Sequence, residues 1–356
     1  MYNVVDLFAG VGGLSYGFSK LPEFNILAAN EIEKDISIAY TLNHPDVKMM
    51  NCDINSLTED MLKEVLCGKS IDLVVGGPPC QSYSTLGKRQ MDERANLFMQ
   101  YKRVLSILQP RAFVFENVVG LLSMDKSKLF NRIQEEFSEL GYALKYKVLD
   151  AVDYGVPQHR ERVILVGFKG RNPYHYPPKT HGEEQGMLPY VKLSDAIGDL
   201  PALKSGESST EYNPNPTNEF LQFVCREGNL TEHSAPKNGA HLIKIMEALK
   251  DGESKDDLPE EIRPKSGYGN TYAKLWWDKP STTITRNFAC PSSSRCIHPR
   301  DSRAMSIREG ARLQSFPDDY LFYGSDGMKR LEIGNAVPPL LSMAIAKQML
   351  DALNEE

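Results

Sequence analysis

Val4-Val5-Asp6-Leu7-Phe8-Ala9-Gly10-Val11-Gly12-Gly13 passes from an apolar run into a glycine-rich turn, and a helix-like segment follows to Lys20. Such a passage predicts a buried strand whose carboxyl end carries a turn open to close approach by a ligand. Outward from it, Asn25 to Asn30 predicts a second strand and Lys34 to Leu42 a helix stopped by Asn43-His44-Pro45. Asp72 to Val75 predicts a short buried strand before Gly76-Gly77-Pro78-Pro79. Ala95 to Leu108 reads as a helix, Ala112 to Phe115 as a strand and Lys128 to Leu140 as a helix stopped by Gly141. Tyr142 to Leu149 and Arg162 to Phe168 close the series as strands. Strands alternating with helices predict an α/β fold built on a doubly wound, mostly parallel sheet.

The chain's 356 residues suit two domains, or one large α/β unit with an appendage. With 41% apolar and 25% charged residues it matches an ordinary globular protein, which excludes low complexity and disorder. No apolar stretch approaches the roughly 18–20 residues of a membrane span, and the first residues carry neither a basic head nor an apolar signal core. Cysteines 52, 67, 80, 225, 290 and 296 form no Cys-x-x-Cys pair, so neither zinc, another metal nor a disulfide framework is expected, and a reduced cytoplasmic setting fits. The net charge of −6 is the wrong sign for coating nucleic acid by bulk attraction, although a local basic face can still form.

From about Arg171 prolines crowd together and periodicity fades, and residues 251–261 carry six acids against one lysine, which reads as a solvated loop. After Pro338-Pro339, Leu340, Leu341, Ala344, Ile345, Met349, Ala352 and Leu353 recur at helical spacing. That apolar face must pack on something, and the first-half sheet is the expected partner. The expected division is 1–172, 173–325 and 326–356, the last segment returning to the first.

Four stretches carry candidate chemistry. In the first, Gly10 and Gly12 shape the turn, and Glu31 stands 19 residues beyond Gly12, where a carboxylate can accept from both hydroxyls of a ribose. The glycines do not spell Gly-x-Gly-x-x-Gly, which favours a compact nucleoside ligand such as S-adenosyl-L-methionine over a dinucleotide, with Asp53-Ile54 beside the adenine. The plainer alternative is a tight structural turn and a surface glutamate. In the second, two prolines stiffen the backbone before Cys80, which shifts an otherwise inert cysteine toward a nucleophile suited to an electron-poor ring carbon. In the third, Glu116 ends an apolar run and is either a salt-bridge partner or a carboxyl group bonded to a substrate base. In the fourth, alternation along Gln158-His159-Arg160-Glu161-Arg162 sends both arginines to one face, suited to phosphate or a polar ring edge, and leaves His159 structural.

Taken in order, these stretches resemble the DNA (cytosine-5)-methyltransferase family. The cofactor motif matches Asp6 to Phe18, and Pro79-Cys80-Gln81, Glu116-Asn117-Val118 and residues 158 to 162 match its next motifs. Residues 303–317, Arg-Ala-Met-Ser-Ile-Arg-Glu-Gly-Ala-Arg-Leu-Gln-Ser-Phe-Pro, and residues 333–339, Ile-Gly-Asn-Ala-Val-Pro-Pro, match its last two. The resemblance covers nearly everything outside residues 171–273, where members place much of a smaller, irregular target-recognition domain.

The resemblance implies a Rossmann-like fold dependent on S-adenosyl-L-methionine, with S-adenosyl-L-homocysteine as product. It implies that Cys80 attacks carbon 6 of a flipped-out cytosine, that Glu116 holds ring nitrogen 3 and the exocyclic amine, and that Arg162 supports the carbonyl oxygen with Arg160 nearby. Phe8, Gly10, Gly12, Glu31, Asp53, Ile54, Pro79, Leu97, Asn335 and Val337 are implied for the cofactor. The loop from Gln81 to Arg94, with Lys88, Arg89, Arg94 and a pivot at Gly87, resembles a flap that closes over the base. Six arginines within residues 286–312 against two acids suggest a phosphate-binding face.

Double-stranded DNA is the expected partner of a cytoplasmic, nucleoid-associated bacterial monomer, with a cognate restriction endonuclease acting at the same site. A tRNA methyltransferase of the same mechanism is the alternative, disfavoured by the missing Cys-Phe-Thr tract. An amino-methyltransferase would carry an aromatic residue where Cys80 follows the two prolines. A non-catalytic nucleic-acid binder would not be expected to keep Cys80, Glu116 and Arg162 together.

Overall fold

Two short apolar runs, β1 (Tyr2–Leu7) and β4 (Leu73–Gly76), lie side by side and parallel near the middle of the sheet. All of β4 and the last four residues of β1 are buried, as strands covered on both faces require. The computed structural model describes residues 1–79, 97–212, 214, 216–265 and 269–355. Among the described residues, β1 and β4 join β2 (Phe24–Asn30), β3 (Lys48–Met50), β5 (Ala112–Val118), β6 (Tyr142–Asp150) and β7 (Glu161–Lys169) in the order β3-β2-β1-β4-β5-β7-β6. β7 runs antiparallel to both β5 and β6, and the other pairings are parallel. The chain winds outward from β1 to β3, then returns to the far side of β1 for β4. That reversal opens a crevice at the carboxyl ends of β1 and β4, where sheets of this kind hold ligands.

Helices α1 (Gly13–Ser19), α2 (Lys34–Asn43), α3 (Glu59–Leu66), α4 (Leu97–Leu108) and α5 (Lys128–Ser138) connect these strands. The core beside β5 is aromatic. Phe113 meets Phe137 and Tyr142 edge-on at 5.0 Å, and Tyr101 meets Phe115 at 5.5 Å. Each buried ring contributes about 1.5–3 kcal/mol from area alone, and the edge-to-face geometry adds about 0.5–1.5 kcal/mol per pair.

Two compact units share the chain. The first comprises residues 1–150, 161–178 and 341–356, and the second residues 151–160 and 179–340. These crossings differ from the texture-based limits at 172/173 and 325/326. Residues 151–160 go to the second unit because their backbone pairs there: His159 N donates to Ser281 O at 2.9 Å, and Ser281 N to Pro157 O at 2.9 Å.

Helix α11 (Pro339–Asn354) enters the first unit from Leu341 onward. Its contact is with α1, where the Ser342 hydroxyl donates to Leu14 O and where a Cβ on Gly17 would overlap the backbone of Ser342 and Met343. The second unit is mostly loop. It carries α6 (Leu193–Ile197), α7 (Glu219–Val224), α8 (Ala240–Ala248), α9 (Ile307–Leu313), α10 (Asp326–Asn335), and the short strands β8 (Ala273–Lys274) and β9 (Arg295–Ile297). The acidic stretch 251–261 is more ordered than a solvated loop. Asp251 accepts from Trp277 N at 3.1 Å, and Ser254 and Asp257 cap one helical turn reciprocally.

Candidate active site

The turn after β1 is left-handed at Phe8 (φ 57°), Gly10 (φ 56°) and Gly12 (φ 96°). Glycine takes such angles freely, whereas they strain a residue like Phe8. The tight reversal lets Gly10 N donate to Glu31 Oε2 at 3.0 Å, while Glu33 N donates to Oε1 at 2.9 Å. Asn51 anchors the same corner by donating to Glu31 O at 2.9 Å. Glu31 is buried, and burial pushes its carboxyl above the usual range against the opposing pull of the Glu33, Gly10 and Ile32 amides. A Cβ placed on Gly10 would meet nothing within 4 Å, so open space lies over the turn. After β3, exposed Asp53 accepts from Asn55 N at 2.8 Å, and buried Ile54 offers its carbonyl to Arg103 at 2.6 Å. Leu97, half-buried, begins α4.

Glu116, Arg162 and the loop after β4 meet at the same sheet edge. Glu116 ends the apolar part of β5, and because β7 is antiparallel its first residues lie at β5's carboxyl end, with Arg162 opposite Val118. Arg162 Nε approaches Glu116 Oε1 at 2.8 Å, both side chains being 11% exposed. Gly77 sits against the other carboxylate oxygen. A Cβ there would lie 2.6 Å from Glu116 Oε2, so a larger residue would push the carboxylate aside. Asn117 Nδ2 donates to Pro78 O at 2.9 Å and fixes the loop that leads to exposed Pro79. The arrangement pairs a shielded carboxylate with a guanidinium, a donor and acceptor set that suits a polar ring edge.

The model of the C-5 cytosine-specific DNA methylases matches residues 2–351. This chain belongs to that family. It is 36% identical over 350 residues to the Type II methyltransferase M1.HphI of Haemophilus parahaemolyticus, covering 97% of this chain and 86% of that one. It is 37% identical to M.DdeI of Desulfomicrobium norvegicum, covering 98% and 88%. Among solved structures, a candidate DNA modification methyltransferase encoded within an E. coli prophage superposes with a TM-score of 0.81 at 25% identity, covering 99% of this chain and all of that one. The S. pombe Dnmt2 methyltransferase, at 19% identity and a TM-score of 0.61, shares the fold.

Other expected site residues of this DNA methylase lie outside the described residues or in the second unit. Cys80 and the loop from Gln81 to Arg94 lie outside the described residues. Exposed Asn335 ends α10 and Val337 is buried, both in the second unit. Arg160 is also in the second unit and is fully buried, donating to Ile284 O and Gly334 O at 2.9 Å each. Gln158 beside it donates to Leu313 O at 2.6 Å and accepts from Ile284 N at 2.9 Å. Arg162 pairs with Glu116 in the first unit, whereas the bonds of Gln158 and Arg160 lie within the second.

The arginine run 286–312 is not one basic face. Arg303, Arg308 and Arg312 are at most 1% exposed. Arg303 lies 2.6 Å from Glu309 and 2.9 Å from Asp301, and Arg312 lies 2.8 Å from Asp318. Burial would raise Glu309, but the bond and charge of Arg303 outweigh it and hold the carboxyl well below the usual range.

Sequence reading also passed over Asp6 as an ionisable group. Its carboxyl is buried beneath the turn, accepts from Ser15 Oγ at 2.6 Å, and has one oxygen without a partner among the described residues. Burial pushes it up to about 7. A charged residue next to the carboxyl end of an apolar strand was the available signal.

Proposed function

We propose that this methylase transfers a methyl group from S-adenosyl-L-methionine to carbon 5 of a cytosine flipped out of a specific duplex DNA sequence, through a covalent adduct to Cys80. The observation that carries the reading is the Glu116–Arg162 pair set against Gly77, on the loop whose next residues are Pro78, Pro79 and Cys80. Carbon 5 of cytosine is a weak nucleophile. Addition of the Cys80 thiolate to carbon 6 forms a carbon–sulfur bond and moves the ring electrons toward carbon 5, splitting one hard step into easier ones. Glu116 would hold ring nitrogen 3 and the exocyclic amine as the adduct forms, and Arg162 would support the carbonyl oxygen. Loss of the carbon-5 proton then returns the electron pair that expels the thiolate. Extruding the base costs about a few kcal/mol of stacking and pairing.

The first unit fits the methyl donor. Glu31 accepts backbone amides on both carboxylate oxygens, which orients it to accept from the ribose hydroxyls as well, and the space over Gly10 admits a ligand. Phe8, Gly12, Asp53, Ile54, Pro79, Leu97, Asn335 and Val337 would complete the set implied by family membership. When bound, S-adenosyl-L-methionine supplies an electrophilic methyl group on a sulfonium and leaves as S-adenosyl-L-homocysteine. Arg160, enclosed by carbonyls of its own unit, is assigned a positioning role and not contact with the base.

Relatives named as Type II methyltransferases favour duplex DNA over tRNA, and a restriction–modification setting with a cognate endonuclease. We infer a monomer acting in the bacterial cytoplasm beside the nucleoid. Among the described residues no helix is long and apolar enough to cross a membrane.

The test uses a long duplex of mixed sequence with 5-fluorocytosine in place of cytosine, incubated with protein and S-adenosyl-L-methionine. The fluorine blocks proton loss, so the adduct persists on a denaturing gel, and peptide mass spectrometry should find it at Cys80 and lose it in Cys80→Ser. The reading fails if no adduct forms while the same protein methylates the unsubstituted duplex, or if the adduct maps elsewhere.

A further inference from the structure

Of the arginines grouped along residues 286–312, Arg303 and Arg312 are neutralised inside the second unit by Glu309, Asp301, Asp318 and Asp199. Arg308 is enclosed by Thr231 and Pro317 carbonyls at 3.0 and 3.1 Å. Arg295 donates to Gly252 O at 2.9 Å with its guanidinium 4.1 Å from the centre of the Trp276 ring. Arg300 covers Trp277 at 4.0 Å.

Arg286 differs. It is exposed, and with Arg330 of α10 it lines a cleft of about 270 Å³ that also includes Asn287, Cys290, Gly327 and Leu331. Among the described residues neither Arg286 nor Arg330 has an ion-pair partner, whereas neighbouring Lys329 is paired with Glu232 at 2.8 Å. Two uncompensated guanidiniums on one concave surface repel each other, and an anion between them relieves that repulsion.

We infer that this cleft holds a backbone phosphate of the DNA substrate, with Arg286 and Arg330 as its two cationic walls. The inference deepens the proposed function and rests on DNA being the substrate. A guanidinium presents paired N–H donors that match the oxygens of a phosphate. A chain of net charge −6 gains nothing from bulk attraction, so its hold on DNA has to come from local sites of this kind.

The walls are held in place before DNA arrives. Arg160 donates to Ile284 O, two residues before Arg286, and to Gly334 O, one turn after Arg330. Gly334 has no room for a Cβ because the backbone of Arg286 lies directly against it. The loop beyond is closed on itself, with Cys290 N donating to Asn287 O at 2.8 Å and Ser294 Oγ to the same carbonyl at 2.7 Å. One buried residue therefore sets the spacing of both arginines, which gives the second member of the Gln-x-Arg-x-Arg motif a positioning role.

The experiment measures binding of a fluorescent duplex of random sequence by anisotropy across a series of potassium chloride concentrations. Arg286→Ala and Arg330→Ala should each flatten the slope of log affinity against log salt by about 0.9, the loss of one phosphate contact. Arg330→Lys should keep the parental slope, and all variants should keep the parental melting temperature. Parental slopes in both alanine variants would overturn the inference, as would weakening confined to a target duplex with the slope unchanged, which would make these arginines base readers.

Cys290 supplies a second readout. Cys290 is exposed and hydrogen bonds from Ser292 and Ser293 lower its thiol pKa, so its alkylation by iodoacetamide is a probe of access to the cleft. Random duplex should slow alkylation of Cys290 and leave exposed Cys67 unaffected, read by peptide mass spectrometry. Equal protection by inorganic phosphate at matched phosphate concentration would mark a small-anion site and overturn the assignment to DNA. Binding of random duplex needs neither methyl transfer nor the Cys80 adduct, so failure here is separable from failure of the proposed mechanism.

Discussion

Replacing Arg160 with methionine separates a residue that holds the fold from one that touches the reacting base. The side chain is fully buried and donates to two carbonyls at 2.9 Å. Methionine keeps much of the stem's volume but donates nothing, so Ile284 O and Gly334 O lose those donors inside the unit. A hydrogen bond from a charged donor is worth about 1.5–3 kcal/mol, which sets the loss at about 3–6 kcal/mol. That is a large part of the roughly 5–15 kcal/mol that holds a domain together. For a unit of this size each kcal/mol moves the midpoint by about 2–4 °C, so the melting temperature should fall by at least about 6 °C. Calorimetric scans of parent and variant measure this, and tritium transfer from the methyl donor, assayed well below the variant's midpoint, measures activity alongside. A variant that melts within about 1 °C of the parent yet transfers methyl groups a hundredfold more slowly would refute the reasoning, because Arg160 would then act on substrate.

Glu31→Ala removes the acceptor shared by Gly10 and Glu33, and should weaken S-adenosyl-L-homocysteine binding by at least about tenfold in calorimetry, from one lost charged hydrogen bond, with duplex affinity unchanged. An unaltered cofactor affinity would remove Glu31 from the site. Gly17→Ala drives a Cβ into the backbone of α11 and should cost about 1–3 kcal/mol, seen as a lower urea midpoint at constant slope. Asp6 has its folded value raised by burial to about 7, against about 3.9 in the unfolded chain. Its stabilising contribution is therefore complete below about pH 4 and is lost as the pH rises toward 7. Asp6→Asn should gain stability relative to the parent across that interval and level off above it, in urea unfolding at stepped pH. A flat difference would show that the buried carboxyl is already ionised.

Much of the first unit was legible because buried parallel strands must be apolar and their connections must stop at proline, glycine or asparagine. Val4 to Leu7 and Leu73 to Gly76 could hardly be anything else, and a glycine turn followed at nucleoside spacing by Glu31 marked one end of the crevice. The direction of β7 was not legible, since an apolar run such as Arg162 to Phe168 reads the same parallel or antiparallel. Only the assembled sheet turns it round, and that reversal brings Arg162 to within 2.8 Å of Glu116.

The arginines divide in the same way. Sequence determined their number and their positions along residues 286–312, but a charge is buried or exposed according to its partners, and several of these lie far along the chain. Arg312 finds Asp199, and Arg160 finds the carbonyls of Ile284 and Gly334. Apolar patterning is a local property written into neighbouring residues. Electrostatic pairing is a property of distance in space, which folding alone sets, and so it decided which cations hold the protein together and which face the cleft.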